Sequence, residues 1–414
     1  MMTTSGKHVL AICGGGNAGH ALAVVASATF DGDIVWLVRS EERANLYRAA
    51  TGEGLRSSGV ITGHADRLRT VSSDPQQVIP DADIVVIAVP AFAHRPVLLQ
   101  IAPYLKDDVL VGCAPARGGF EFEASSLIGG LAPAGNRVLF GLQTLPWSTR
   151  IVEAGRLVNF GAEKASVLMA TLPAAAAPAT AERLTQLFGM AIAPTSSFLD
   201  MTLGNPGQHI HPGLMYGHFH AWAGETFAED AVPMFYADAD EEVSASVEAL
   251  SAETLTVAHA VEAASGGGLD LSGVLSTLDW LRRSYPTQTG DLSTVSSCFR
   301  TGPLLHRKAP MKPASDGRLQ PQFDYRYLTE DVPFGLVVTR AIAELAGVAT
   351  PAIDQVIAWT GRVTGARYLA DGRIGGPDVL PLPIPQNYGV TTLNELLTWY
   401  AGGPDARRPS PVGS

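Results

Sequence analysis

Residues 8–29 read HVLAICGGGNAGHALAVVASAT, and this segment determines the architecture predicted for the first half of the chain. An apolar run suited to a β-strand, 8–13, leads into a glycine-rich loop and then into a helical segment, 17–29. The loop matches the pattern G-x-G-x-x-G, whose glycines permit a tight turn and a close approach of the backbone to a ligand. Because free amides at a helix start can hold a pyrophosphate, the sequence predicts a dinucleotide site at Gly14, Gly15, Gly16, Asn17, Ala18 and Gly19.

Short β-forming apolar runs alternate with helical segments through the first 197 residues. The connections are long enough for crossover helices, so βαβ units with parallel strands are the economical topology. The predicted fold class is α/β, with a doubly wound parallel sheet in an N-terminal Rossmann domain over 1–197. Strands are expected near 8–13, 34–38, 68–72, 83–89, 109–113 and 137–142, with a further strand pair within 156–172.

The pattern changes after about residue 197, where apolar residues recur with a period near 3.6. We predict a mainly α-helical C-terminal domain over 198–401, followed by a disordered tail over 402–414. The helices are expected at 214–229, 239–264, 271–285, 330–346, 351–364 and 391–400.

The charge balance and the cysteines limit the partners and the compartment. The chain has 414 residues and a formal net charge of -11 without a long basic run, which argues against nucleic acid and anionic membranes as partners. No apolar run is long enough for a membrane helix, and the glycines at 14–16 interrupt any secretion signal. Cys13, Cys113 and Cys298 lack a C-x-x-C pairing and fit a reducing cytoplasm.

The end of the second predicted strand indicates which dinucleotide is preferred. An NAD site usually places an acidic residue about 20 residues after the glycine loop, where it bonds the ribose hydroxyls. Here Arg39 occupies that position with Arg43 one turn further, and an arginine pair suits the 2′-phosphate of NADP(H). Glu41 and Glu42 keep NAD(H) possible. The candidate cofactor contacts beyond the glycine loop are Arg39, Ser40, Arg43 and Pro90.

Four of the ten histidines fall within 205–220, which reads NPGQHIHPGLMYGHFH. No metal site is predicted, because no acidic or thiol ligand lies nearby in the sequence. A histidine is also the usual proton donor or acceptor when a carbonyl or imine is reduced, and one would suffice. His209, His218 and His220 are then ordinary packed or surface residues. Pro212 restricts the backbone of His211 toward extended conformations and predicts that this ring lies at a loop edge.

Three further motifs support a family resemblance. They are QTLPW (143–147) followed by Arg150, the segment 205–212, and RYLTEDVPFGL (326–336). Together with the glycine loop they make essentially the whole chain similar to the octopine/nopaline (opine) dehydrogenases, the N-(carboxyalkyl)amino-acid dehydrogenases. The resemblance implies a Rossmann domain that binds the nicotinamide cofactor, a helical domain that binds the amino donor, and catalysis in the cleft between them.

The resemblance also implies roles for individual residues. His211 looks like the general acid/base, Asp331 looks like its carboxylate partner, and Arg326 looks like the clamp for the donor's carboxylate. Arginine suits that task because its guanidinium group matches a carboxylate in a bidentate manner. Further candidate substrate contacts are Gln143, Thr144, Trp147 and Asn205.

Several of these assignments have alternatives. Asp331 lies just before Pro333 and an apolar helical segment, so it is also a good helix cap. Trp147 is equally suited to packing. A second anionic reactant needs a cation of its own, for which Arg117, Arg150 and Lys164 are open candidates.

The implied reaction is the reductive condensation of an amino acid with a 2-oxo acid through an imine, together with the reverse oxidation. Two other functions stay open: a 2-oxo-acid or ketopantoate-type reductase that reduces a C=O bond without an amine, and a non-catalytic NADP-binding sensor. A homodimer is expected from a run of aromatic residues, although core packing explains the run equally well. The run contains Phe219, Trp222, Phe227, Phe235 and Tyr236.

Overall fold

The computed structural model describes residues 8–51, 54–129, 131 and 136–402. This part of the chain divides into two compact units, one with residues up to 116 and 123–198, the other with 117–122 and 199–401. The main division lies one residue after the predicted boundary, and the sequence did not indicate that 117–122 belongs to the second unit. Within the predicted tail, Gly402 ends the last helix, and 403–414 lie outside the described residues.

The first unit contains two sheets. Within the described residues, its strands are β1 (His8–Cys13), β2 (Gly32–Leu37), β3 (Leu55–Gly59), β4 (His64–Ala65), β5 (Leu68–Ser72), β6 (Ile84–Ile87), β7 (Leu110–Cys113), β8 (Val138–Leu142), β9 (Trp147–Glu153), β10 (Leu157–Glu163), β11 (Ser166–Leu172) and β12 (Ala191–Pro194). The larger sheet has the order β12-β11-β8-β7-β6-β1-β2-β5, and its neighbours are parallel except for β8 and β11. The predicted Rossmann class is confirmed, because β5-β2-β1-β6-β7-β8 is the strand order of a doubly wound dinucleotide-binding sheet.

The predicted strand pair within 156–172 is wrong. Both strands exist, but β10 pairs with β9 and β3 in the smaller sheet, of order β4-β3-β10-β9, while β11 pairs with β8 and β12. The burial patterns explain the separation. Val158, Phe160 and Ala162 bury one face of β10, whereas β11 is buried at nearly every residue, as a strand covered on both faces must be.

Helices cover the larger sheet, whose central strands are apolar throughout because both faces are shielded from water. Ile84, Val85, Val86 and Ile87 of β6, for example, are all buried. The helices that belong to the first unit or begin at its edge are α1 (Asn17–Thr29), α2 (Glu41–Thr51), α3 (His94–Ile101), α4 (Phe120–Leu127) and α5 (Ala177–Phe188).

The second unit is mainly helical, as predicted. Its helices are α6 (Leu199–Leu203), α7 (Gly207–Phe219), α8 (Glu241–Ala264), α9 (Thr277–Ser284), α10 (Val295–Thr301), α11 (Arg326–Thr329), α12 (Val337–Ala346), α13 (Pro351–Thr364) and α14 (Leu393–Gly402). A π-helical turn, Val332–Leu336, precedes α12, and two short hairpins complete the unit: β13 (Met311–Pro313) with β14 (Leu319–Pro321), and β15 (Leu369–Ala370) with β16 (Arg373–Ile374). Among the described helices, none is both long enough and apolar enough to cross a membrane.

Helix α7 differs most from its prediction. It was expected at 214–229 with His211 in an extended loop, but it begins at Gly207 and contains both His211 and Pro212. Packing against α8 explains why the helix continues through the proline. A Cβ on Gly213 would lie 2.8 Å from the Val247 side chain, and a Cβ on Gly217 would lie 2.4 Å from the Val243 carbonyl oxygen. The two glycines therefore permit a close approach of α7 to α8.

The aromatic run at 219–236 belongs largely to the core of the second unit. Phe219, Phe235 and Tyr236 are buried, and Phe235 packs edge-on against Tyr236. Core packing therefore accounts for most of the run, which leaves it without weight as an argument for a dimer interface. The homodimer stays a prediction.

Candidate active site

The glycine loop lies between β1 and α1, and its backbone requires glycine at two positions. Gly14 has a φ of +131°, and a Cβ there would lie 2.5 Å from the Ala88 carbonyl oxygen. A Cβ on Gly19 would lie 1.9 Å from the carbonyl oxygen of Gly14. Gly16 caps α1 without a side chain, and it is exposed together with Asn17. The loop therefore has the tight turn and the open helix start that a dinucleotide pyrophosphate requires.

Three buried side chains hold the carbonyl groups of this loop. Trp36 Nε1 donates to the Gly14 oxygen and the Tyr47 hydroxyl donates to the Gly15 oxygen, both at 2.8 Å. His20 Nδ1 lies 3.0 Å from the Gly16 oxygen, while its Nε2 accepts a hydrogen bond from the Gly155 amide, so Nδ1 carries the proton. Burial lowers the pKa of His20 to about 4 and keeps the ring neutral. Sequence reasoning missed all three residues, because none belongs to the glycine pattern.

The remaining predicted cofactor contacts follow β2 and β6. Arg39 is exposed at the end of β2, and the Ser40 hydroxyl accepts a hydrogen bond from the Arg43 amide at the start of α2. The carboxylate of Glu41 is bonded to the Arg48 guanidinium and to the Ser73 hydroxyl. Arg39 and Glu42 are thus both exposed beyond the end of β2, whereas the Glu41 carboxylate already has partners. Pro90 is half-buried after β6 and caps a short 3₁₀ turn, 91–93.

The QTLPW motif lies between β8 and β9 in the first unit. Trp147 is buried, with its ring 5.7 Å from Phe160 and 5.8 Å from Phe188, which agrees with the packing interpretation. Gln143 is also buried, and its backbone N–H donates to the Leu168 carbonyl. Thr144 is half-buried.

The three candidates for a second cation differ in exposure and in their partners. Lys164 is buried and donates to the Leu145 carbonyl at 2.7 Å, while Arg150 is exposed on β9. Arg117 belongs to the second unit and lies among acidic side chains there.

A cluster of charged side chains in the second unit contains His211. Its Nδ1 lies 2.9 Å from Oδ2 of Asp331, 120 residues away, and its ring stacks on Tyr327 with centroids 4.0 Å apart. The His211 side chain is 24% exposed, whereas that of Asp331 is fully buried. Because Nδ1 faces the carboxylate, Nε2 is the nitrogen that can exchange a proton with a substrate. Tyr327 lies in the motif 326–336, but nothing in the sequence pattern indicated a role for it.

Burial and neighbouring charges set the proton affinity of this pair. Burial is the main reason why the pKa of His211 lies below its ordinary value; Arg117 and Arg326 lower it further, and Asp331 opposes them. Burial by itself raises the pKa of Asp331, but the nearby cations bring it below its usual value. The resting pair is therefore a neutral imidazole beside a carboxylate.

Asp331 occupies the N-cap position that the capping interpretation gave it, but its side chain does not cap the helix. The residue precedes the π-helical turn, yet its side chain makes no capping hydrogen bond to that turn within the described chain. One carboxylate oxygen instead faces His211, and the other lies 2.6 Å from Nη1 of Arg117. The ion pairs are formed with residues far away in the sequence, which is why the local pattern suggested a cap.

Arg326 begins α11 and lies on the same cluster. Its Nη2 is 2.9 Å from Oε2 of Glu330, whose side chain is buried, while the Arg326 side chain is 45% exposed. A guanidinium group has five donors, so this single contact leaves capacity for an incoming carboxylate. Asn205, another predicted substrate contact, accepts hydrogen bonds from Arg117 and from the Gly207 amide.

The other histidines of the segment have structural partners. His209 is buried between the hydroxyls of Thr254 and Thr277, and burial lowers its pKa to about 3. His218 bonds the Phe235 carbonyl, and exposed His220 bonds a carbonyl of its own helix. In the part of the chain that the structure describes, no group of His, Cys, Asp and Glu side chains is arranged to hold a metal.

Known proteins match both units. Residues 194–364 match the model of the NAD/NADP octopine/nopaline dehydrogenase alpha-helical domain, and residues 9–116 match that of the coenzyme F420-dependent NADP oxidoreductases. Octopine dehydrogenase from Pecten maximus is 34% identical over 94% of this chain and 98% of its own; tauropine dehydrogenase from Arabella iricolor is 32% identical over 94% and 100%. A solved octopine dehydrogenase in complex with NADH and agmatine has a TM-score of 0.83 at 30% identity and covers 94% of this chain and 98% of that one.

These relatives make the chain an NAD(P)-dependent oxidoreductase acting on CH–NH bonds, and the Rossmann unit with its open glycine loop and the histidine–carboxylate pair of the helical unit agree with that class. The relatives cover nearly the full length of the chain at more than 30% identity. The chain belongs to the octopine/nopaline (opine) dehydrogenase family.

Proposed function

We propose that this chain catalyses the reductive condensation of an amino acid or amine with a 2-oxo acid, with NADPH as the preferred reductant. His211 transfers protons, Asp331 orients its ring, and Arg326 binds a substrate carboxylate. The observation that carries the proposal is the His211–Asp331 pair, 2.9 Å long, in one charged cluster with the half-exposed Arg326.

The chemistry assigns a task to each of these residues. A bound nicotinamide cofactor supplies the hydride that reduces the imine carbon. The donor's ammonium group must lose a proton before its nitrogen attacks the carbonyl carbon, and the neutral Nε2 of His211 can take that proton. The imidazolium so formed, which Asp331 stabilises through Nδ1, returns the proton to the hydroxyl that leaves the carbinolamine as water, which gives the protonated imine. After hydride transfer, a second proton, taken from solvent through the same Nε2, protonates the secondary amine. Arg326 can neutralise the carboxylate of the reactant beside this ring.

Amine dependence of cofactor oxidation tests the function. NADPH loss is followed with pyruvate, glyoxylate and 2-oxoglutarate, each with and without a panel of amino acids and amines. Arginine, agmatine and taurine belong in the panel: agmatine and L-arginine are bound in solved octopine dehydrogenase, and taurine matches the name of the tauropine relative. Turnover that requires both reactants supports the proposal. Equal turnover without any amine would identify a 2-oxo-acid reductase instead, and no turnover with any pair would favour the sensor.

Arg39 is expected to determine the preference for NADPH. It is exposed at the end of β2, where an acidic residue would favour NADH, while Glu41 is bonded elsewhere. Arg39→Asp should raise the KM for NADPH about 5–30-fold through loss of charge-assisted hydrogen bonds, and should change the KM for NADH much less. Arg183→Asp, at an exposed position on α5, is the matched control. A native enzyme that prefers NADH, the cofactor in the solved octopine dehydrogenase, would contradict this assignment.

We also infer a cytoplasmic location, which is supported by the three cysteines. Within the described residues, Cys13, Cys113 and Cys298 are buried and form no disulfide. Unpaired thiols persist most readily in a reducing compartment. Fractionation of the source cells with antibody detection tests the location.

A further inference from the structure

Arg117 is a buried arginine that contacts both carboxylates of the charged cluster. Its Nη1 lies 2.6 Å from Oδ1 of Asp331, and its Nε lies 3.4 Å from Oε1 of Glu330. The same Nη1 donates to Oδ1 of Asn205 at 2.9 Å, across 88 residues of sequence. Since the other oxygen of Asp331 faces His211, this carboxylate bridges a guanidinium group and an imidazole.

The start of α7 is shaped around this arginine. A Cβ on Gly207 would lie 2.5 Å from Nη1 of Arg117 and 2.8 Å from Oδ1 of Asp331. The Gly207 amide also donates to the asparagine oxygen that accepts from Arg117. Any larger residue at position 207 would therefore clash with the Arg117–Asp331 pair. Gly207 lies four residues before His211 on the same helix.

The charges of the cluster balance when His211 is neutral. The two guanidinium groups of Arg117 and Arg326 offset the two carboxylates of Asp331 and Glu330. A proton added to His211 then places an extra positive charge in a largely buried environment, which is unfavourable. Removal of one cation would make protonation of His211 easier, and removal of one carboxylate would make it harder.

The other elements packed against His211 add few charges. Tyr327 of α11 stacks on the ring, and Arg307 is hydrogen-bonded to Tyr327. Uncharged groups of α8 and α13 contact α7 in the described chain: Val243, Val247, Thr254, Gln355 and Trp359. Arg117, Arg326, Asp331 and Glu330 are thus the charges whose balance controls this histidine.

We propose that Arg117 is a positioning residue that acts through Asp331 to hold the His211 ring and to set the pH at which that ring exchanges protons. The inference rests on the proposed role of His211 in catalysis. It differs from the role of a substrate clamp, because the Arg117 side chain is 9% exposed and two of its nitrogens already face Asp331, Asn205 and Glu330.

Opposite shifts of one pH midpoint test the proposal. The pH dependence of kcat is measured with saturating NADPH and substrates for the native enzyme, Arg117→Met and Asp331→Asn. In parallel, NMR of the NADPH complex, with ¹⁵N-labelled histidine, follows the titration of His211. Arg117→Met should move the midpoint of His211 upward by about one pH unit, since a nearby cation is lost, and Asp331→Asn should move it downward. Arg117→Lys should stay near the native midpoint but lower kcat, because it keeps the charge and loses the fork geometry.

A matched control excludes a general effect of deleting a buried arginine. Arg340 is also almost fully buried in the second unit, with Nε 2.6 Å from Asp354 and Nη1 3.1 Å from Glu344. Arg340→Met should leave the His211 midpoint at its native value. If Arg117→Met does not fold, Arg117→Gln removes the same charge while keeping a polar side chain, and it should raise the His211 midpoint in the same way.

Two outcomes would overturn the proposal. In Arg117→Met, a raised KM for the oxo acid with an unchanged pH midpoint would show that Arg117 binds substrate, and a lower kcat with no shift of the midpoint would show a purely structural role. Failure of the proposed function is distinguishable, because it appears as absence of amine-dependent turnover in the native enzyme. In that case the NMR titration still measures whether Arg117 controls His211.

Discussion

Replacement of His211 by alanine should lower kcat by about 10²–10⁴-fold, with the Kd of NADPH close to its native value. The reason is that His211 combines a carboxylate-bound Nδ1 with a partly exposed ring, which is the geometry that general acid/base catalysis requires. Steady-state kinetics at saturating reactants, together with a fluorescence titration of NADPH, measures both quantities. The glycine loop and Arg39, which are expected to hold the dinucleotide, belong to the first unit, so most of the binding energy for NADPH should be retained.

Two other histidines of α7 provide the controls for this experiment. His220 caps the same helix, is exposed and bonds a carbonyl of its own helix, so His220→Ala should keep near-native kcat. His209→Ala should lower the thermal midpoint, because it removes a buried ring and its bonds to Thr254 and Thr277, but it should affect kcat much less. If His209→Ala abolished turnover and His211→Ala kept it, the wrong histidine would have been assigned.

Loss of activity with a chelator and recovery with zinc would indicate a metal enzyme.

Replacement of Arg326 by alanine should raise the KM for one carboxylate reactant by about 10–100-fold, which is the expected loss for a hydrogen bond to a charged group. The side chain is 45% exposed and binds Glu330 through one nitrogen, so its other donors can reach a ligand. Initial rates with each reactant varied in turn will show which of the two depends on Arg326. Arg326→Lys should recover only part of the effect, because an ammonium group lacks the planar fork.

Arg282 is a matched control for Arg326. It is also 45% exposed in the second unit and pairs with a carboxylate one turn away, Asp279. Arg282→Ala should leave both KM values unchanged. An equal effect of the two substitutions, or an unchanged KM for every carboxylate reactant in Arg326→Ala, would remove the clamp from the proposal.

The Rossmann unit could be predicted from sequence because its signals are local. Glycines 14 and 19 are required by contacts within one turn of chain or with the adjacent strand, and β6 is recognisable as a continuous apolar run. The smaller sheet had weaker signals. Its strand β4 has two residues, and β10 alternates buried and exposed positions much as an edge hairpin would. Which sheet a strand joins depends on the partners available around it, and that information is not local.

Some of the site residues were predicted through the family resemblance, and others were not predicted. His211, Asp331 and Arg326 lie in recognisable motifs, but the position of Arg117 depends on a segment, 117–122, that folds with the second unit. Tyr327 and the side chains that hold the glycine loop were missed because their contacts join residues that are distant in the sequence. A stacked ring or a buried hydrogen bond is defined by distance in space, and a pattern of spacing along the chain contains no such distance.

Local chemistry in the chain was sufficient to predict a glycine loop for a dinucleotide, a helical second half and a histidine-rich segment. The family resemblance selected His211 over His209, but only the tertiary structure gives the physical reason. An extended backbone, as Pro212 suggested, would have placed both rings on one side of the chain. In α7 residues two apart point about 200° away from each other, so one ring faces the threonines of α8 and α9 and the other faces Asp331. Packing of α7 on α8, made possible by Gly213 and Gly217, overrides the local preference of the proline and thereby determines which histidine meets the carboxylate.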